Sequence, residues 1–175
     1  MLALDDSIAE GHALLSMFYS IKGEHEKAIA EGERAVSLNP GAALANGAYA
    51  NSLYYAGRPG EAIPFFQKTA RLCPVTGSTL HVPIGNALMA TGRFEEAVSE
   101  YEKAIRLSPD NILAHVGLAA TYSMMSREKE AHAEATEVLR INPKFSVDYF
   151  AKTLSYKTQS ENAKTVSALH KAGLK

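Results

Sequence analysis

The stretch that decides the fold is residues 78–111, STLHVPIGNALMATGRFEEAVSEYEKAIRLSPDN. Small or apolar residues recur there at helical spacing on both sides of a break at residues 91–93: Ile84, Gly85 and Leu88 before it, Ala97, Tyr101, Ala104 and Leu107 after it. Gly92 supplies the backbone freedom that a turn between antiparallel helices needs, and Pro109 cannot continue a helix. The stretch therefore predicts a helical hairpin.

The hairpin recurs along the chain at a fixed period. Four blocks end in proline, at Pro40, Pro74, Pro109 and Pro143, and successive prolines are 34, 35 and 34 residues apart. Such a period is typical of one supersecondary unit that is copied and stacked. We predict four repeats, a stub of an earlier helix before them and capping helices after them: residues 7–40, 41–74, 75–109 and 110–143, with the stub at 1–6 and the cap at 144–175.

The pattern of Leu-Gly, Tyr, Ala, an aromatic residue, Ala and a closing Pro resembles the tetratricopeptide repeat. Three positions depart from it, since Gly32 and Ala135 stand where an aromatic residue is usual and Ser126 replaces the turn glycine. The resemblance covers nearly the whole chain. It implies an all-α, right-handed α-solenoid of tandem helix-turn-helix repeats with C-terminal capping helices, and a function that resides in binding surfaces.

The composition argues against several classes of partner. Of the 175 residues 46% are hydrophobic, enough for a substantial core, and the net charge is −1. A chain so nearly neutral has no strong field to attract nucleic acid or an anionic membrane. The single cysteine, Cys73, and the lack of a secretion-type leader predict a cytoplasmic setting.

No motif predicts catalysis, a metal or a cofactor. The chain has no glycine-rich phosphate loop and no nucleophile elbow. His12, His81 and His115 share one repeat position, but equivalent atoms of packed helices lie roughly 10 Å apart, whereas a zinc ion needs ligands at about 2 Å. We expect each histidine to be a partly buried filler with one hydrogen-bonded nitrogen.

The first helices of the second, third and fourth repeats lack Asp, Glu, Lys and Arg, and the resemblance places first helices on an inner, concave wall. The repeat frame predicts a neutral peptide-binding groove there, lined by Met17, Asn51, Tyr54, Tyr55, Asn86, Met89, Ser123 and Met124. Asn51 and Asn86 share a repeat position, so their amides could pair with peptide groups of an extended ligand. Packing between repeats is an equally supported alternative for the Tyr54 and Tyr55 pair.

We therefore predict a non-enzymatic scaffold that binds an extended neutral peptide or a partner's helix. One alternative is homo-oligomerisation through exposed repeat ends. Another follows from the tail, residues 140–146, 150–157 and 169–174 (RINPKFS, FAKTLSYK, LHKAGL). This tail resembles the C-terminal region of bacterial proteins that join a class III adenylate or guanylate cyclase domain to a tetratricopeptide array, which implies a regulatory domain of a cyclase.

Overall fold

The computed structural model describes residues 2–153 and 159–175, and within these ranges all regular structure is helical. The helices are α1 (Leu2–Ile21), α2 (His25–Leu38), α3 (Ala43–Tyr55), α4 (Pro59–Leu72), α5 (Pro74–Ala90), α6 (Phe94–Leu107), α7 (Ile112–Met124), α8 (Glu128–Ile141), α9 (Val147–Thr153) and α10 (Gln159–Lys171). The predicted all-α fold of tandem helix-turn-helix repeats is confirmed. Among the described helices, none combines the length and apolar character that a bilayer crossing requires.

Four equivalent turns join the helices of each hairpin. Gly23, Gly57 and Gly92 adopt positive φ angles of 73°, 80° and 76°, and Ser126 adopts 59° at the fourth turn. After each of these residues, the next backbone N–H donates to the carbonyl five residues earlier, at 2.9 Å in all four turns. This bond closes the first helix of each pair and reverses the chain within three residues.

The first compact unit extends to Leu80. In it α3 packs on α1, α2 and α4 around a core of small residues, including Ala13, Ala35 and Ala48. A Cβ added at Gly32 would lie 2.9 Å from the Tyr49 Cα. The missing aromatic residue at position 32 is therefore explained, because the backbone of α3 occupies that space.

The second compact unit begins at His81. Here α7 is central and packs on α6, α8 and α10. In the C-terminal segment that was predicted to cap the repeats, Leu169 and Leu174 are buried, and the Val147 N–H donates to the Lys175 carbonyl at 2.8 Å. α10 therefore covers one side of α7.

Two boundaries differ from the predicted repeat frame. Residues 2–6, predicted as the stub of an earlier helix, are continuous with α1. A segment too short to nucleate a helix is helical here because it extends an existing hydrogen-bonded ladder. Pro74, predicted to end the second repeat, is instead the first residue of α5, a position where its missing N–H costs nothing.

Candidate functional site

The first helix of each hairpin, here called an inner helix, is uncharged in α3, α5 and α7 but carries Asp5, Asp6 and Glu10 in α1. The second helices, here called outer helices, carry a series of ion pairs. Each of the outer helices α2, α4, α6 and α8 is preceded by a charged residue that pairs three residues onward: Glu24 with Lys27, Arg58 with Glu61, Arg93 with Glu96 and Arg127 with Glu130. Any recognition along α3, α5 and α7 therefore depends on amide, hydroxyl, aromatic and thioether groups.

The three histidines of one repeat position each bond to a glutamate 19 residues further on. The Nδ1 to Oε2 distances are 2.5 Å for His12 and Glu31, 2.7 Å for His81 and Glu100, and 2.6 Å for His115 and Glu134. These contacts agree with the expectation of a filler with a satisfied nitrogen. Sequence reasoning missed the glutamates, although their constant offset was visible.

The second repeat replaces both members of this pair. Asn46 stands at the histidine position and Phe65 at the glutamate position. The Asn46 amide donates to the Pro40 carbonyl at 3.0 Å, as the His115 Nε2 does to the Pro109 carbonyl. The histidine–glutamate bonds therefore join the two helices of a hairpin in the first, third and fourth repeats, and the second repeat lacks this bond. No cluster of three or more potential metal ligands occurs among the described residues.

Two groups near these pairs, Glu100 and Tyr101, have pKa values shifted in opposite directions. The pKa of the Glu100 carboxyl is lowered: burial opposes this shift, but hydrogen bonds from Lys103 and His81 outweigh it. The pKa of Tyr101 is raised far above its ordinary value by complete burial. Neither group is poised to exchange a proton near neutral pH.

In the first unit, the predicted groove residues divide into accessible and buried ones. Met17 on α1 is 39% exposed, and Asn51 and Tyr55 on α3 are half-buried. The prediction that Tyr54 lines the groove is corrected, because only 5% of this residue is exposed. Its ring packs edge-on against the Phe66 ring, with the ring centroids 6.3 Å apart. Its helical position faces α4, so it belongs to the core and cannot line a groove.

In the second unit, Asn86 and Met89 lie half-buried on α5. The Asn86 Oδ1 accepts a hydrogen bond from the Tyr101 hydroxyl at 2.7 Å. Among the described residues, none accepts a hydrogen bond from the Asn86 amide nitrogen. The tyrosine thus orients this amide so that its carbonyl is occupied and its NH₂ group is the donor that remains.

Ser123 and Met124, the last two predicted groove residues, lie together in an open cleft of about 520 Å³ beside α10. The other described residues that line it are Phe94, Ala163, Lys164, Ser167, Ala168 and Lys171. The cleft therefore combines an apolar floor with two lysines and has no acidic lining residue in the described part of the chain.

The two lysines correct the prediction of a wholly neutral groove. The last helix was predicted only as a cap of the repeats. α10 packs on α7, as a cap would, but it also lines the cleft. The spacing of Lys164, Ser167, Ala168 and Lys171, at i, i+3, i+4 and i+7, marked one helical face and was the signal available. Only the packing of α10 showed that this face lies beside Met124.

Comparisons with known proteins agree with the hairpin architecture. Models of the tetratricopeptide repeat match residues 21–75 and 85–126 and together cover more than half of the chain. TPR repeat-containing protein YpiA of Bacillus subtilis is 24% identical over 157 residues, 89% of this chain and 37% of YpiA. The match covers 37% of the length of YpiA and between 8% and 28% of the other curated relatives compared with it.

Solved structures show the same fold at low identity. A MamA crystal structure has a TM-score of 0.68 at 19% identity and covers 90% of this chain and 92% of MamA. YrrB, a TPR protein with an unusual peptide-binding site, has a TM-score of 0.65 at 21% identity and covers 92% of this chain and 82% of YrrB. Because the two family models match more than half of its residues, this chain belongs to the tetratricopeptide repeat family.

Proposed function

We propose that this chain is a non-enzymatic interaction module that binds an extended segment of a partner protein against its inner helices. Family membership supports the proposal, because tetratricopeptide repeats mediate protein–protein interactions, and YrrB has a peptide-binding site on the same fold. The observation that carries it is the cleft beside Ser123 and Met124, where accessible apolar groups meet two lysines.

The cleft suits a peptide that presents an apolar side chain next to a carboxylate. Phe94 and Met124 offer an aromatic ring and a flexible thioether, which adapt to varied apolar groups. On α10, Lys164 lies about one turn before Ser167 and Lys171 lies about one turn after it, so an acidic side chain or a C-terminal carboxylate of the ligand would find a cation on either side of Ser167. The proposed ligand is therefore acidic at this end.

Elsewhere on the inner helices, the proposed contacts are neutral. Asn86 has its carbonyl held by the Tyr101 hydroxyl, so it would donate from its amide nitrogen to a peptide carbonyl. Asn51 has no hydrogen bond to another described residue and could both donate and accept. Met17, Tyr55 and Met89 would add apolar contact beside these amides.

The test selects ligands from a random dodecapeptide library displayed on phage and measures the enriched sequences, labelled with fluorescein, by anisotropy. We expect enriched peptides to carry an apolar residue beside Asp or Glu. Lys171→Glu should weaken their binding at least tenfold, about 1.4 kcal/mol. Lys144→Glu is the matched control, because Lys144 is exposed outside the cleft, and it should bind like the wild type.

A second pair of variants tests the amides. Asn51→Ala and Asn86→Ala, made separately, should each lower affinity for the same peptides about 2- to 13-fold, since each hydrogen bond contributes roughly 0.5–1.5 kcal/mol. Asn86→Asp keeps an acceptor for Tyr101 and replaces the NH₂ donor by a negatively charged carboxylate oxygen, so it removes the donor to the ligand without removing the bond to Tyr101. Peptides that bind both alanine variants and Lys171→Glu as tightly as the wild type would refute the proposed site. If the enriched peptides become helical on binding, the ligand is a helix of the partner protein and not an extended segment.

A regulatory role for the same surface rests on the resemblance of residues 140–146, 150–157 and 169–174 to cyclase-linked arrays. In that role the bound segment would belong to a nucleotide cyclase. The natural reading frame upstream of the Met1 codon tests it directly. A frame that encodes no cyclase domain removes this candidate and leaves the peptide-binding module unaffected.

A further inference from the structure

Helix α1 has apolar residues on two opposite faces. One face carries small residues that are buried against α2 and α3: Ala9, Ala13, Ser16 and Ser20. The opposite face, here called the outer stripe, consists of Ile8, Gly11, Leu14, Leu15, Phe18 and Ile21. Its five large side chains are between 43% exposed, at Leu15, and 86% exposed, at Ile21. A helix that is apolar on both sides is typical of one that is buried on both sides.

Equivalent positions of the other inner helices are covered. The counterparts of Leu14 and Phe18 are Ala48 and Ser52 in α3, and Gly117 and Thr121 in α7, all of them buried. In α3 the cover comes from α1 and α2, and in α7 Tyr101 of α6 lies against Gly117. At these positions α1 instead carries large apolar residues, which suit an interface that a partner must complete.

Gly11 lies in the middle of the outer stripe and has no structural reason within the chain. A Cβ added there would meet no atom within 4 Å. A glycine in a helix interior costs about 1 kcal/mol relative to alanine. The surface beside Gly11 is therefore open, so another molecule's side chain could lie directly against the helix backbone there.

We propose that the outer stripe is covered by the outer stripe of a second copy, with the two α1 helices antiparallel across a two-fold axis. Such an interface must be self-complementary. About the midpoint between Leu14 and Leu15, Ile8 is as far away as Ile21, and Gly11 is as far away as Phe18. Antiparallel pairing therefore places Ile8 against the partner's Ile21, and the partner's Phe18 over the gap at Gly11.

The exposed area sets the strength of this dimer. A large apolar side chain presents roughly 150–250 Å², so the five exposed fractions amount to on the order of 500 Å² per copy. This is at the upper end of the largest apolar patch on a typical monomer, about 300–600 Å². Two such patches give about 1,000 Å², the lower limit of a specific interface, so the dimer forms in the micromolar range.

Charge does not oppose the pairing. Lys22 is the one basic side chain on this side of α1 among the described residues, and its ammonium lies 4.8 Å from the centre of the Phe18 ring at the end of the stripe. Glu10 lies at the other edge, twelve residues away. The centre of the stripe, at Leu14 and Leu15, holds no charge that association would have to desolvate, and pairing moves the Lys22 ammonium off the Phe18 ring to the rim, where it stays in water.

Sedimentation velocity between about 5 and 500 µM tests the proposal, a range set by the low end of interface sizes. We expect the wild type to shift from monomer to dimer, and Phe18→Glu to stay monomeric throughout. Leu107→Glu is the control, since Leu107 is 61% exposed on α6 and is not a residue of the stripe, and it should dimerise normally. Gly11→Leu fills open space, so it should leave helicity intact and weaken the dimer at least tenfold.

Disulfide trapping tests the antiparallel register. In a Cys73→Ser background, Ile8→Cys with Ile21→Cys should give covalent dimers on mild oxidation, whereas either single substitution should not. The two positions are about 20 Å apart on one helix, so they cannot join within a chain. Cross-linking of either single variant would overturn the antiparallel arrangement. A wild type that remains monomeric at 500 µM, or a Phe18→Glu variant that dimerises normally, overturns the proposal and leaves a helix of another protein as the occupant.

Discussion

Gly117→Ala should destabilise the second unit, although it replaces a helical glycine by the best helix former. Tyr101 is fully buried and lies against Gly85 of α5 and Gly117 of α7. A Cβ at position 117 would be 2.4 Å from the Tyr101 Cε1 and Cζ atoms. Carbon atoms in contact normally lie about 3.5–4.0 Å apart, so the ring would have to move by more than about 1 Å. Its hydroxyl is anchored on Asn86, which resists that movement.

The net effect follows from two opposing contributions. Overpacking of this kind costs about 3 kcal/mol at the upper end of its usual range. Replacing glycine by alanine in a helix gains about 1 kcal/mol. We expect a net loss of about 2 kcal/mol. With an m-value of about 2 kcal/mol/M for urea, the unfolding midpoint should fall by about 1 M.

Urea unfolding followed by circular dichroism at 222 nm measures this change, and amide hydrogen exchange locates it in α6 and α7. Gly47→Ala is the matched control: its added Cβ lies 3.4 Å from the Thr69 Cγ2, an ordinary contact, so it should gain stability. Tyr101→Leu should partly rescue Gly117→Ala in a double-mutant cycle. A Gly117→Ala midpoint as high as that of Gly47→Ala would refute the reasoning.

Three further substitutions are predicted to change stability. Ser126→Gly should raise it by up to about 1 kcal/mol, read as a higher melting temperature, because Ser126 holds a φ of 59° that a side chain disfavours; an unchanged melting temperature contradicts this. Pro64→Ala should stabilise α4 by up to about 3 kcal/mol in urea unfolding, because it restores a helical N–H; a lower midpoint counts against it. Glu100→Gln should flatten the acid limb of the stability profile. Because the Glu100 pKa is lowered in the folded state, this carboxylate contributes stability above pH 4.5 that is lost as the pH falls further. If the wild type and Glu100→Gln lose unfolding free energy equally below pH 4.5, the hydrogen bonds from Lys103 and His81 do not stabilise the fold.

The turns and the hairpins could be predicted from the sequence because both depend on local rules. Gly23, Gly57 and Gly92 were at the repeat positions where the chain needs a positive φ, and all three adopt one. Tyr54 could not be placed, because helical spacing shows that it shares a face with other residues but does not show which helix covers that face. The structure places its ring against Phe66.

The sequence by itself determined the repeat period, the helix pairs and the uncharged inner helices of the second, third and fourth repeats, because periodicity and turn chemistry act within one hairpin. Packing between elements decided the rest. Tertiary structure placed Lys164 and Lys171 beside Met124, and it left the outer stripe of α1 exposed. Because α10 is not part of a repeat, its packing neighbours could not be predicted from repeat positions. The cover of an apolar face depends on how helices stack, which no local pattern encodes.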